Sequence, residues 1–418
     1  MSYDDGGERP GRGKVLVVGM DGLRFDRLTR SPSTAPVLHG LMATGAVGTS
    51  LLPYGEADGQ AEDGRPSTSM AYTDSGPGWS SILTGVWPDR HGVRGNDFVG
   101  ADYARYPDFL TRAAAARPGL RTAAAVSWPQ LVRRGTLGPA IGRRRRYNGE
   151  FRGYRTADRR VARTALRWLT KHDPDVVFVY FGATDEAGHD TGPLSPAYDR
   201  ALLAQDAHLG RLLQAIDARR GDPRSADERW TVLVTTDHGH LDSGGHGGAT
   251  HAEREVFVIL AEPGRPAGIR HAGGRPDSAR PDSARPANSP PDDTQPVGGR
   301  PDDRRPDETE PFDTRPADSG LNSTRPGSAR PADSRPDDTQ PVGTERADRR
   351  PDKTQPDSAR PADSPPHSPR PPGARLDSPR LIDIAPTVLD RLGIPVDPAW
   401  GLQGRVLPRP TAPTSDRS

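Results

Sequence analysis

Four short runs of consecutive apolar residues punctuate a largely polar chain: KVLVVGMDG at 14–22, DVVFVYFGATD at 175–185, WTVLVTTDHG at 230–239 and EVFVILAEPG at 255–264. Each is too short for a core helix and ends in Asp or Gly, the pattern of a buried parallel strand running into a loop at its carboxyl end. Between them the period changes. In AYDRALLAQDAHLGRLLQAIDARR at 197–220, Leu202, Leu203, Leu209, Leu212, Leu213 and Ile216 recur at helical spacing. RLIDIAPTVLDRLGIPVD at 380–397 predicts a further helix, opened near Pro386 and stopped at Gly393. Strands alternating with helices predict an α/β fold, a mostly parallel sheet with helices on both faces. In such sheets ligands bind beyond the carboxyl ends of the strands.

The alternation fails between 264 and 378. That block holds 23 of the 46 prolines and repeats units such as RPDSA, RPADS and QPVGG on a five-residue period, with Phe312 its one aromatic. Five residues are too few for a solenoid repeat, and glycine does not recur at every third position as collagen requires. Alternating Arg and Asp leave almost nothing to bury, which predicts a long disordered Pro/Arg/Asp-rich insertion. The expected organisation is a flexible N-terminus at 1–13, one catalytic α/β domain from 14–263 and 379–408, the insertion at 264–378, and a flexible C-terminus at 409–418.

Composition narrows the function classes. With 57 Lys+Arg against 56 Asp+Glu over 418 residues, there is no basic excess, and binding to a nucleic-acid duplex is not expected. Zero cysteines remove disulfides and thiolate metal sites from consideration. The N-terminus has no apolar signal-type region and no run reaches 18 apolar residues, so the expectation is a cytoplasmic protein with no membrane partner.

The candidate chemistry gathers where the strands end. Asp21 closes the first run, Asp185 the second, and Asp237 with His238 the third; His189 follows Asp185 by four residues, and His246 sits in GGHGG. A lone Asp at such a position is ordinarily a helix cap. Three carboxylates and three imidazoles at successive strand ends form a donor set suited to Zn²⁺, with Mn²⁺ second. A separate signal lies in TDSGPGWSSILTGVWPDRHGVRGN at 73–96, where Ser75 precedes a predicted helix opening after Pro77. A hydroxyl there lies beside unpaired N–H groups and the positive end of the helix dipole, a setting that favours phosphate; the plainer reading is a turn or cap residue. His39, His91, His208, Trp79 and Trp87 read as packing residues.

Taken in order, Asp21, S-G-P-G-W-S-S-I-L-T-G with Ser75, P-D-R-H-G, Asn96, D-E-A-G-H, T-D-H-G-H, G-H-G-G and I-D-I-A-P-T-V-L resemble the alkaline phosphatase superfamily, most closely its type I phosphodiesterase/nucleotide pyrophosphatase branch. The likeness spans about 14–262 and 379–407. It implies an alkaline-phosphatase-like fold and a metal-dependent phosphoric ester hydrolase with two divalent ions. Asp21, Ser75, Asp237 and His238 would hold one ion; Asp185, His189 and His246 would hold the other, with His240 and His251 as nearby alternatives to His246. Ser75 would be the nucleophile, where that branch commonly has threonine, and would pass through a phosphoserine. Asn96 and the backbone N–H groups after Ser75 would meet the phosphoryl oxygens.

The implied substrate is a small-molecule phosphoester, with nucleotide-like esters among the candidates. Its selection is assigned to loops such as 97–120 and 127–160. Rival readings are a phosphomonoesterase, for which Arg143–Arg146 would supply an extra cation if it is not a solvated turn, and a phosphomutase, suggested by THAERE at 250–255. A sulfatase would need an Arg where Trp79 stands. A non-catalytic scaffold carrying the repeat is the remaining alternative.

Overall fold

The computed structural model describes residues 12–53, 73–263 and 373–410. The chain divides into two units, Met1–His271 with Ser364–Ser418 and Ala272–Asp363; only the first contains described residues. The predicted disordered insertion up to residue 372 and both predicted flexible ends, apart from Arg12–Gly13 and Arg409–Pro410, lie outside them.

One eight-stranded sheet organises the described unit. Its strands are β1 (Arg12–Met20), β2 (Ala46–Leu51), β3 (Thr122–Val126), β4 (Arg143–Arg146), β5 (Val176–Phe181), β6 (Glu228–Thr235), β7 (Glu255–Ala261) and β8 (Ala374–Arg375), in the order β4-β3-β5-β1-β6-β7-β2-β8. From β4 to β6 all pairings are parallel. β7 is antiparallel to both β6 and β2, which corrects the expectation that the 255–264 run is a parallel strand. An apolar run reports burial and carries no direction.

The longer helices are α1 (Pro36–Thr44), α2 (Ser75–Thr84), α3 (Phe109–Ala116), α4 (Tyr154–Lys171), α5 (Ala183–Thr191), α6 (Pro196–Arg219) and α7 (Ile384–Arg391). They cover both faces, and the alternation along the strands shows how. Val15 and Val17 of β1 and Phe178 and Tyr180 of β5 face one core with residues of α2, α3 and α7. Leu16, Val18, Val177, Val179 and Phe181 face the other, with residues of α1, α4 and α6. A strand buried on both faces is apolar on both, not on alternate positions, which is why β5 and the central stretches of β1 and β6 were legible as continuous runs.

Two segments depart from expectation. Arg143–Arg146 is edge strand β4, mostly exposed, and not a turn; four arginines on an open edge also discourage pairing with another chain. β8 lies inside the stretch assigned to the repeat: Ala374 and Arg375 pair with Ala46 and Val47, and Leu376 is buried. The sheet is therefore rejoined several residues before 379.

At the amino ends of the strands the fully buried Lys14 donates from Nζ to Asp173 (2.8 Å), Asp175 (3.0 Å) and the Pro174 carbonyl (2.8 Å). Buried charge there is matched by opposite charge. At the carboxyl ends it is not. Among the described residues no helix is long and apolar enough to cross a membrane.

Candidate metal centre and active site

Beyond the carboxyl ends of β1, β5 and β6 the chain brings the predicted residues together. Asp21 follows β1 directly, and its carboxylate is braced from two sides. Trp79 Nε1 of α2 donates to Oδ2 at 3.1 Å, and the Tyr180 hydroxyl of β5 donates to the same oxygen. Asp185 does not end β5. It lies in the first turn of α5, whose start is fixed by Asp158 of α4: Asp158 accepts from the Gly182 and Ala183 N–H groups, both at 3.0 Å. Burial pushes Asp158 up to about 6. Asp185 and His189 then share one face of α5 at i, i+4.

Ser75 occupies the first position of α2, with Asp74 at the N-cap. It is neither the cap itself nor upstream of a helix that starts after Pro77. Its Oγ lies 3.2 Å from His238 Nε2 and 3.4 Å from Asp21 Oδ1. His238 Nε2 is 3.3 Å from Asp21 Oδ1 and 3.4 Å from Asp237 Oδ2. His238 Nδ1 donates to the Gly239 carbonyl at 2.9 Å, which turns the Nε2 lone pair toward two carboxylates. Only a proton or a metal cation makes that arrangement favourable. Asp237 Oδ1 accepts from Gly22 N–H at 3.2 Å, whereas Oδ2 is buried with no hydrogen bond. Burial, with Asp21 and Asp185 nearby, pushes Asp237 well above the ordinary carboxylate range. Burial opposes charging His238, yet the hydrogen bond to Asp21, the charges of Asp21 and Asp185 and the Gly239 carbonyl together raise it.

The second group is nearer the surface. Asp185 Oδ1 is 3.6 Å from His189 Nε2 and 3.5 Å from His246 Nε2, and the two imidazole nitrogens are 3.0 Å apart. His246 Nδ1 donates to the Thr73 carbonyl at 2.6 Å, leaving Nε2 to face Asp185. Thr73 ties this loop to the chain just before Ser75, accepting from Gly247 N–H and donating to the Gly248 carbonyl. Gly244, Gly245 and Gly247 hold φ of +92°, +82° and +108°, so the glycines around His246 shape its turn.

Donor spacing tests whether these residues fit metal ions. Four tetrahedral ligands about 2.0–2.1 Å from an ion stand about 3.3 Å from one another. The contacts within Asp21, Ser75, Asp237 and His238 run from 3.2 to 3.4 Å, and those within Asp185, His189 and His246 from 3.0 to 3.6 Å. The unpaired Asp237 oxygen and the crowded carboxylates give the same answer. Each group has donor spacing that could hold a metal ion.

Asn96 reaches the start of α2 differently from expectation. Its Oδ1 accepts from Gly76 N–H at 2.7 Å, and Gly78 N–H is bound to the Asp74 carbonyl. Pro77 has no N–H. The backbone donors expected after Ser75 are thus engaged, and Asn96 Nδ2 is the side-chain donor left for an incoming oxygen. His91 is structural, bonded to Ser81 Oγ and Val93 N–H and pushed down to about 3 by burial. Thr250 and Glu253 of THAERE form a capping box on a short helical turn.

Sequence reasoning missed Tyr180, Trp79 as a partner of Asp21, Thr73, and the contact of His240 with Asp185. Tyr180 and Trp79 were hidden among residues that packing alone explains.

The fold and the two donor groups define an α/β protein whose site at the carboxyl edge of a mainly parallel sheet is suited to divalent cations and an oxyanion. A family model for type I phosphodiesterase / nucleotide pyrophosphatase matches residues 15–246, more than half of the chain, and the protein belongs to that family. Human ectonucleotide pyrophosphatase/phosphodiesterase family member 5 is 24% identical over 256 residues, covering 55% of this chain and 46% of the relative. Human member 7 is 28% identical over 208 residues, covering 44% of this chain and 42% of the relative. The chain spans less than half the length of either. The solved murine member 5 aligns with 54% of this chain and 57% of its own, at 21% identity and a TM-score of 0.36.

Proposed function

We propose that the protein hydrolyses phosphodiesters of small molecules, with nucleotide-like esters as the first class to examine, through Ser75 and a two-metal site. The observation that carries this reading is the position of Ser75 Oγ, 3.2 Å from His238 Nε2 and 3.4 Å from Asp21 Oδ1 at the start of a helix. Asp21, Ser75, Asp237 and His238 would hold one ion, and Asp185, His189 and His246 the other. The mixed carboxylate–imidazole set and near-tetrahedral spacing favour Zn²⁺ over Mn²⁺. Bound there, such ions lower the pKa of the serine hydroxyl and offset charge on the phosphoryl oxygens.

The chain's own residues then account for the rest. Ser75 Oγ attacks phosphorus, forming a Ser–O–P bond as the bond to the leaving alcohol or nucleotide oxygen breaks. Water hydrolyses the phosphoserine and restores the hydroxyl. Asn96 Nδ2 donates to a phosphoryl oxygen, and the positive end of α2 favours the anion. Trp79 and Tyr180 hold Asp21 in place throughout.

The test compares hydrolysis of bis-p-nitrophenyl phosphate and p-nitrophenyl phosphate by zinc-loaded protein, chelated protein and Ser75→Ala. A diester preference lost in both controls is expected. A monoester preference would move the assignment to a phosphatase, and turnover that survives chelation would overturn the metal-dependent mechanism.

A further inference from the structure

His240, two residues beyond His238, is fully buried at the junction of the two donor groups. Its Nε2 lies 3.0 Å from Asp185 Oδ1, closer than either His189 or His246 comes to that oxygen. It does not join their triangle: the metal-sized set that includes His240 contains Asp185 and His238. The ring has a slot cut for it. A Cβ on Gly22 would come within 2.5 Å of His240 Nε2, and one on Gly188 within 2.7 Å of the same atom. Those glycines adjoin Asp21 and His189, so the backbone at a ligand of each group is pared back to admit this ring. Arg24 fixes the chain here by donating to the His240 carbonyl at 3.1 Å. The ring's other nitrogen, Nδ1, is buried with no partner. Packing alone would place an apolar side chain in such a slot.

We propose that His240 is a positioning residue for the Asp185–His189–His246 group, donating from Nε2 to Asp185 so that the carboxylate is aimed at its ion. The inference rests on the two-metal reading above. An oriented donor behind a metal-binding carboxylate sets both its rotamer and its affinity, and removing such a partner ordinarily costs about 10–100-fold in metal binding. The tautomer that donates from Nε2 leaves Nδ1 as an unprotonated acceptor.

The experiment titrates Zn²⁺ and Co²⁺ into the full chain against a chromophoric chelator, comparing wild type, His240→Met and His240→Gln, with circular dichroism as the folding check. Methionine fills the slot without a donor, whereas the glutamine amide retains one near the position of Nε2. Wild type is expected to bind two equivalents. His240→Met should weaken one equivalent about 10–100-fold and leave the other within about threefold. His240→Gln should recover most of the loss, and the Co²⁺ visible spectrum should keep its tetrahedral intensity at both sites. Unchanged affinity in His240→Met would overturn the proposal. So would a loss equally large in His240→Gln with an altered Co²⁺ spectrum, since that would make His240 a ligand. Failure of the wild type to bind two equivalents would overturn the two-metal reading itself, and the positioning role with it.

Discussion

Asp237→Asn should stabilise the metal-free protein while weakening its response to zinc. Asp237 is fully buried near Asp21 and Asp185, and its Oδ2 has no hydrogen bond. Asparagine is nearly isosteric. Its Oδ1 keeps the bond from Gly22 N–H, and its Nδ2 replaces the unpaired oxygen 3.4 Å from His238 Nε2, which can accept from it. Leaving a buried polar group unsatisfied costs about 1–3 kcal/mol, and relieving strain at a functional site commonly returns about 0.5–2 kcal/mol. Taking about 1–2 kcal/mol and a shift of about 2–4 °C per kcal/mol for a domain of this size, the metal-free variant should melt about 2–8 °C higher. Differential scanning fluorimetry in chelator and in zinc measures both effects: zinc should raise the wild-type Tm and raise the variant's by less, since the Asp185–His189–His246 group is untouched. A metal-free variant no more stable than wild type, or one stabilised by zinc as much as wild type is, would refute the reasoning that the site is an anionic cluster awaiting cations.

Other outcomes follow from the same geometry. Ser75→Ala should lower kcat at least 10³-fold, an order-of-magnitude expectation for loss of a nucleophile, with the fold intact by circular dichroism. Asn96→Ala should lower kcat by about 10²-fold or more, the usual loss of one oxyanion donor, as read from initial rates on the preferred ester. The pH dependence has a definite sign. His238 is raised above its ordinary value, so in the metal-free protein it adds stability that is present below about pH 6.5 and lost as pH rises through the folded pKa. Asp237, also raised, costs stability once pH exceeds its ordinary carboxylate value. Zinc must displace these protons, so the zinc-induced rise in Tm should be larger at pH 8 than at pH 6. Because β7 ends at Ala261 and the chain re-enters the same sheet at Ala374, excising most of the intervening repeat should leave zinc binding in place; its loss would count against a single domain interrupted by an insertion.

What was legible in the chain depended on how many faces of an element are buried. β5 and the central stretches of β1 and β6 are covered on both sides, so those stretches are mostly apolar. β3, Thr-Ala-Ala-Ala-Val, and β4, four arginines, have little intrinsic strand preference and take their form from pairing with β5 and with each other. The direction of β7 was hidden because its side chains are the same for either orientation. At the site, Asp21, Asp237 and His238 were visible only as a set: one Asp after an apolar run is ordinarily a cap, but carboxylates at several strand ends with histidines nearby are not explained that way. Tyr180 and Trp79 sit among apolar neighbours, and only the position of Asp21 shows that their polar atoms are used. His240 was masked by its proximity to His238, and its contact with Asp185 depends on the fold of α5.

The most direct test of the two-metal site is an anomalous diffraction map from crystals of the zinc-loaded protein, measured across the zinc absorption edge. The account predicts two peaks: one within about 2.0–2.2 Å of donors from Asp21, Asp237 and His238 with Ser75 Oγ beside it, the other at the same range from Asp185, His189 and His246. A single peak, or peaks away from these seven residues, would contradict it.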